Sequence, residues 1–334
     1  MDPPVRSLLS IQGLQVGFVA PGASAGEGGI PALRGIDLTI HPGEICGLVG
    51  ESGSGKTVTA TAIMGLLPSA ARINGGRLLF RGSDLLALSA SERRELRGRQ
   101  IAMVFQEPAR FLNPSFRIST QIAETLQLHL GLSKAQALDR AAELAELVGL
   151  RGKRNILRSY PHELSGGMKQ RAMIAMAISC GPSLLIADEP TTALDVTLQA
   201  QILDLILRLR DTLRMAVLFI SHDLRLVRAV SDTVAVIYAG RVLESAPRDP
   251  LFHRPLHPYT RLLMQSVPSA ARRGARLPAI PGRVPDGRAL PPGCAFHPRC
   301  PIAETLCSRE DPPSVERAPS HAAACHLVEK PWPL

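Results

Sequence analysis

Apolar and polar positions follow a strand-like pattern from Leu8 to about Arg81, with a Gly-rich interruption at Pro21 to Gly29 that reads as a loop. Within this region Ala32 to Ile40 is a predicted strand, and Ile45 to Val49 is a wholly apolar one that runs straight into a glycine-rich turn. From Ser89 to about Leu150 the period changes. Gln121 to Leu130 and Lys134 to Val148 carry apolar residues at helical spacing, so this stretch reads as an inserted helical lobe. A strand is expected over Ser183 to Ala187, a helix from Thr197 to about Leu213, and a buried strand over Ala216 to Ile220 leading into Ser221-His222-Asp223. Strands alternating with helices build a mostly parallel sheet. The most apolar stretch, Ala172 to Ala187, is broken by Gly181-Pro182 and falls short of the roughly 18 residues of a membrane span. It reads as a buried helix, a break and a buried strand. After about Arg241 Pro and Arg accumulate and periodic segments stop, so the remainder is expected to be an appended tail and not a continuation of the sheet.

The chain's 334 residues suffice for one large α/β domain and an appendage. Hydrophobic residues at 45% against 20% charged mark a chain that folds around a core. Lys and Arg (38) exceed Asp and Glu (29), and the net charge of +9 permits anionic partners. The arginines are scattered through helical segments and tail, however, so no nucleic-acid-binding stripe is indicated. The N-terminus, MDPPVRSLL, has no basic region followed by a long apolar segment, and a cytoplasmic location is expected.

The segment Gly50-Glu51-Ser52-Gly53-Ser54-Gly55-Lys56-Thr57 lies between an apolar strand and a helix expected to begin near Val58. Its glycines let backbone N–H groups crowd around phosphate oxygens at a helix N-terminus. Lys56 is suited to reach the β and γ phosphates of a nucleotide and Thr57 to ligate Mg²⁺, which sets the segment apart from an ordinary Gly-rich turn. Asp188 and Glu189 end a buried strand, where Asp188 can serve the metal and Glu189 can act as general base toward water. His222, after the next apolar strand, can hold the γ phosphate and water in line. Gln106, after the strand-like Ile101 to Phe105, can touch Mg²⁺ and the attacking water. Ser165, Gly166 and Gly167, in LSGGMKQR, precede a helix and form a second phosphate-suited site. One chain thus carries two half-sites, and if they cannot reach the same nucleotide, two chains must share it.

Taken together these motifs resemble an ATP-binding-cassette (ABC) ATPase over about residues 8 to 245. GESGSGKT is similar to that family's Walker A motif, LLIADE to its Walker B motif with the following Glu, LSGGMKQR to its signature, Gln106 to its Q-loop, Ala193-Leu194-Asp195 to its D-loop and His222 to its switch histidine. The resemblance implies a P-loop NTPase (RecA-like) core of α/β class with a mostly parallel sheet, an antiparallel β subdomain, an inserted helical subdomain at about 90–165 and a small irregular C-terminal extension. The domains expected are a nucleotide-binding domain over 5–245 and the extension over 246–334. It also implies ATP and Mg²⁺ as ligands, Thr57, Gln106 and Asp188 about the metal, an adenine stacked on Phe18, and Asp195 at the nucleotide-binding interface. In the implied head-to-tail dimer, Ser165 and Gly167 of one subunit close on the γ phosphate held by Lys56 of the other.

Finer resemblance narrows the branch. Phe105-Gln106-Glu107-Pro108, Leu112-Asn113-Pro114, Tyr160-Pro161-His162-Glu163, His257-Pro258-Tyr259-Thr260 and the run from Pro292 to Pro301 resemble the dipeptide, oligopeptide and nickel importers. Two of the six cysteines, Cys46 and Cys180, lie in apolar stretches and read as inert core thiols. Cys294, Cys300, Cys307 and Cys325 lie in the tail with spacing C-x5-C-x6-C-x17-C. Disulfides are disfavoured in the cytosol, and four thiolates suit either a tetrahedral zinc or a cubane cluster. The paired C-x2-C knuckles of structural zinc are missing, and the resemblance implies an iron-sulfur cluster of the 4Fe-4S type. It further implies a peripheral protein on the cytoplasmic face of the inner membrane that powers peptide import with a second, related ATPase as heterodimer mate, two transmembrane permease subunits and an extracytoplasmic substrate-binding protein, without nucleic acid. Two other functions compete. A soluble cassette ATPase acting on nucleic acid or ribosomes generally carries two cassettes or a long coiled coil, and here there is one phosphate loop and no sustained heptad run. A metal-dependent regulator is argued against by the complete hydrolytic set.

Overall fold

The computed structural model describes residues 7–19, 29–150, 154–192, 194–267 and 279–328. Most of the Gly-rich stretch at Pro21 to Gly29, Ala193 of the D-loop, and the ends of the two expected domains (5–6 and 329–334) lie outside the described residues. The described strands are β1 (Leu9–Phe18), β2 (Ile30–Ile40), β3 (Ile45–Val49), β4 (Ala71–Phe80), β5 (Ser83–Asp84), β6 (Ile101–Val104), β7 (Leu184–Asp188), β8 (Ala216–Ser221), β9 (Thr233–Tyr238), β10 (Arg241–Pro247), β11 (Ser314–Ala318) and β12 (His321–Ala324). The chain forms two compact units, one built on His41–Glu44 and Ala87–Ile220, the other on Leu9–Ile40, Ile45–Leu86 and Ser221–Leu334.

In the first unit β6, β7 and β8 pair in parallel, from Ile101↔Leu184 to Val104↔Ala187 and from Leu184↔Ala216 to Asp188↔Ile220. Every residue of the three strands is buried, which is why they read as unbroken apolar runs instead of alternating ones. The helix Gly166–Ile178 packs on β6 and also meets the helices Ile118–Leu130 and Lys134–Leu147, which pack on each other. The turn between those two helices is set by Gly131 in the left-handed region and by a capping box in which Ser133 Oγ accepts from Gln136 N–H while Ser133 N–H donates to Gln136 Oε1. The helix predicted from Gln121 begins earlier, at Ile118, whose N–H donates to the Ser159 carbonyl; buried Gln121 holds the preceding loop through Asn113 and Phe116. Among the described residues no helix is long and apolar enough to cross a membrane.

The second unit holds an antiparallel sheet in the order β2-β1-β4-β5. Strand β2 starts two residues before the prediction, because its register places Ile30 opposite Phe18. In the same unit β3 pairs in parallel with β9, and β9 turns antiparallel into β10. Contrary to the expectation from its composition, the tail does continue the sheet. Strand β12 pairs antiparallel with β10 (Glu244↔Ala323, Ser245↔Ala322), and β11 pairs with β12. The pairing was hidden because β11, SVERA, is exposed at every residue and β12, HAAA, is four residues long. Neither carries a periodic signal of its own.

The extension is tied in through buried Glu244 of β10. Its carboxylate accepts from Leu256 N–H (2.7 Å), His257 N–H (2.9 Å) and the His321 imidazole (2.8 Å). Burial pushes the His257 imidazole down to about 4 despite that carboxylate, so the neutral ring accepts the Tyr259 N–H at Nδ1 (3.0 Å) and caps the helix Pro258–Gln265. Asp311 adds ion pairs to Arg34 of β2 and Arg241 of β10.

Candidate functional site

The second unit presents the loop from Gly50 to Thr57. Gly50 ends the β3 turn against the β9 backbone, where a Cβ would lie 2.1 Å from the Ile237 carbonyl oxygen, so only glycine fits. The helix begins at Lys56, two residues before the predicted Val58. Buried Lys56 folds over the loop, with Nζ donating to the Gly50 (2.8 Å) and Glu51 (2.9 Å) carbonyls. Ser52, Gly53 and Thr57 are exposed, Ser54 is buried and Gly55 is partly so. A helix N-terminus, a lysine ammonium and an exposed hydroxyl therefore share one short loop, the chemistry that polyphosphate binding needs. Half-buried Phe18 lies at the end of β1, paired with Ile30 and Ala71. His222 is exposed and lines, with Asp223, Arg225, Leu263 and Ser266, an open cavity of about 320 Å³.

The first unit brings the predicted carboxylates and Gln106 together. Asp188 closes β7 and is buried, and Glu189 follows with φ 47, the left-handed region that non-glycine residues enter only when their surroundings enforce it. The Glu189 N–H is held by the Ile220 carbonyl (2.9 Å). Its Oε2 accepts from Gln106 Nε2 (3.1 Å) and from Thr192 Oγ1 (2.9 Å). Thr192 is not among the residues predicted from sequence; its one signal there is a hydroxyl three residues after Glu189. The strained backbone and two donors fix the carboxylate's direction, as a base toward water requires.

In the same unit Ser165 caps the helix Gly166–Ile178 by accepting the Met168 N–H (3.4 Å). Ser165 and Gly166 are exposed while Gly167 packs on Leu198. Asp195, also exposed, caps the helix Val196–Leu213 through Leu198 N–H (2.9 Å). The two turns thus meet at Leu198.

The tail cysteines converge in the second unit. Cys294, Cys300, Cys307 and Cys325 line one small cavity together with His297 and His326. Gly293 has φ 68, and a Cβ there would lie 2.5 Å from the Cys307 carbonyl oxygen, so glycine lets the two cysteine-bearing segments touch. Burial pushes the thiols up, Cys294 above its ordinary value and Cys300 and Cys325 to about 11. Backbone N–H groups of Phe296 and His297 act against this at Cys294, that of Ile302 at Cys300, and that of Leu327 at Cys325 (3.3 Å). Such donors stabilise thiolate once a cation displaces the proton. Among the described residues no group of three or more His, Cys, Asp or Glu is arranged to hold a single metal ion. Of the two remaining cysteines, Cys46 is buried as expected, while Cys180 is only half-buried.

Comparison with known proteins bears on both regions. The family described as "ABC transporter" matches residues 33–192, and that described as "Oligopeptide/dipeptide transporter, C-terminal region" matches residues 243–307. The chain is 49% identical to "Probable peptide ABC transporter ATP-binding protein y4tR" of Sinorhizobium fredii, covering 97% of this chain and 96% of that one. It is 44% identical to "Dipeptide transport ATP-binding protein DppD" of Bacillus subtilis (98% and 96% covered) and 44% identical to "Oligopeptide transport ATP-binding protein OppD" of Salmonella typhimurium (96% and 94% covered). Among solved structures, the dimeric post-hydrolysis state of the ATP-binding cassette MJ0796 bound to ADP and Pi is similar in fold, with TM-score 0.63 at 24% identity over 72% of this chain and 98% of that one. The cbiO1 structure from Clostridium perfringens has TM-score 0.62 at 25% identity, covering 74% and 91%. By sequence and fold alike, the chain belongs to the ATP-hydrolysing proteins of the ABC transporter family, in the group that carries the oligopeptide/dipeptide transporter C-terminal region.

Proposed function

We propose that this chain powers the import of peptides from the cytoplasmic face of the cell membrane, hydrolysing ATP to drive two permease subunits fed by an extracytoplasmic binding protein. The observation that carries the reading is the joining, on one chain, of the Gly50–Thr57 loop and a Glu189 carboxylate held by Gln106 and Thr192 to a C-terminal region shared with relatives named for dipeptide and oligopeptide transport. The nucleotide-binding domain is taken as 5–245, its helical subdomain as about 90–165, and the extension as 246–334. On the family pattern Phe18 serves adenine, Lys56 and the loop serve the phosphates, and Thr57, Gln106 and Asp188 would hold Mg²⁺, which neutralises charge on the phosphates when bound. Glu189 accepts a proton from the attacking water, Gln106 and Thr192 keep its carboxylate directed, and His222 faces the γ phosphate. Exposed Ser165 and Gly166, with Gly167 and Asp195, serve the nucleotide of a dimer mate, taken to be a second, related ATPase.

A glutamine at position 189, with ATP and Mg²⁺ added to solubilised membranes of the native host, is expected to trap the assembly and recover two permeases and a second ATPase. Recovery of ribosomes or nucleic acid without membrane proteins overturns the transport reading.

Cys294, Cys300, Cys307 and Cys325 are proposed to hold an iron-sulfur cluster of the 4Fe-4S type. Their convergence on one cavity and the N–H groups aimed at three of the sulfurs support this. The role of such a cluster here is structural, since the tail is Pro-rich and short of core. Protein purified without oxygen is expected to contain about four iron and four sulfide per chain, both lost together on Cys300→Ser. Zinc in their place, or neither iron nor sulfide, rules the cluster out.

A further inference from the structure

Glu51 is the second residue of the phosphate loop, and the extension holds it from two sides. Its N–H donates to Tyr259 Oη (3.1 Å), and its two carboxylate oxygens accept from Arg299 Nη1 (2.9 Å) and Nη2 (3.0 Å). Its carbonyl accepts from Lys56 Nζ (2.9 Å), the ammonium that serves the phosphates. Arg299 is fixed in turn. Its side chain is 6% exposed, Nε donates to the Pro281 carbonyl (2.7 Å), and Nη1 also reaches Tyr238 Oη (3.2 Å). Tyr238, Tyr259 and Phe296 form one aromatic cluster around this point, with ring centroids 4.7 to 5.3 Å apart.

A carboxylate is an unfavourable neighbour for a triphosphate, since like charges raise each other's energy wherever water is partly excluded. Here the carboxylate is cancelled by a buried, two-pronged guanidinium, the arrangement in which an ion pair keeps its strength against solvent screening. The pair also pins the loop's main chain between β9 and the extension. We propose that Arg299 is a positioning residue for ATP binding, neutralising Glu51 and fixing the phosphate loop from the cysteine-bearing extension. The inference rests on the reading of Gly50 to Thr57 as the ATP phosphate loop.

The test is ATP affinity of the full-length chain, measured by titration calorimetry at low and high salt for wild type, Arg299→Met, Arg299→Lys and the double variant Arg299→Met with Glu51→Gln. Arg299→Met is expected to weaken ATP binding by about tenfold or more, and by less at high salt, where the uncompensated carboxylate is screened. Arg299→Lys, a point charge without the fork, is expected to fall between it and wild type. Removing the Glu51 charge in the Arg299→Met background is expected to return affinity to within about threefold of wild type. If the double variant binds as weakly as Arg299→Met, Arg299 is only a packing element and the proposal is overturned. It is also overturned if Arg299→Met folds and binds ATP like wild type. Lys56→Ala separates the underlying reading: if it binds ATP as wild type does, the loop itself is misassigned.

Discussion

Exchanging Glu189 for glutamine is expected to lower ATP turnover of the solubilised transporter by ~10²–10⁴-fold while ATP remains bound. The substitution keeps shape and removes basicity. Thr192 can still donate to the side-chain carbonyl, so the side chain keeps its direction, and the left-handed backbone at 189 is untouched. On the proposed mechanism, what is lost is the acceptor for the proton of the attacking water. Phosphate release in a single turnover, measured beside nucleotide retention, reads the two effects separately. A variant retaining more than about a tenth of the wild-type rate would remove Glu189 from the role of base and leave Thr192 and Gln106 with nothing to orient.

Replacement of Glu244 by alanine is expected to destabilise the chain by ~3–5 kcal/mol. The side chain is fully buried and is the acceptor for two backbone N–H groups and one imidazole. Its removal leaves all three donors in a site that water cannot easily reach, and each carries its own desolvation penalty. Differential scanning calorimetry of the purified chain is expected to show the midpoint falling by about 10 °C. On the proposal that the four tail cysteines hold a cluster, iron content is expected to fall with it, because β12, which His321 anchors to Glu244, leads directly into Cys325. Glu244→Gln keeps acceptor capacity for part of the set and is expected to fall between the two. A midpoint within about 2 °C of wild type would show that the three donors find other partners.

Much of this could be read from the chain before its structure. The apolar runs of four or five residues in β3, β7 and β8 announce strands buried on both faces, and the phosphate loop is a contiguous string whose chemistry does not wait on tertiary contacts. Residues that act through distant partners were harder to see. Arg299 and Glu51 are separated by 248 positions, and an Arg among prolines reads as a solvated cation until the fold buries it. Strand β11, exposed throughout, and β12, nearly all alanine, owe their conformation to pairing on β10, a signal that local propensity does not carry. The four cysteines could be grouped by type and spacing. The N–H groups aimed at Cys294, Cys300 and Cys325 depend on how the loops close in the folded chain.

The strand that the extension lays along β10 also bears on where the chain can be cut. A shortened cassette ending near residue 245, where sequence composition changes, keeps Glu244 but loses the His321 imidazole, the Leu256 and His257 N–H groups and the whole of β12. Its last strand would then offer a row of unmated backbone donors and acceptors beside an exposed carboxylate. Open sheet margins of this kind recruit strands from other molecules, so the truncated protein is expected to come off a sizing column as aggregates while the full-length chain, its β10 margin mated to β12, does not.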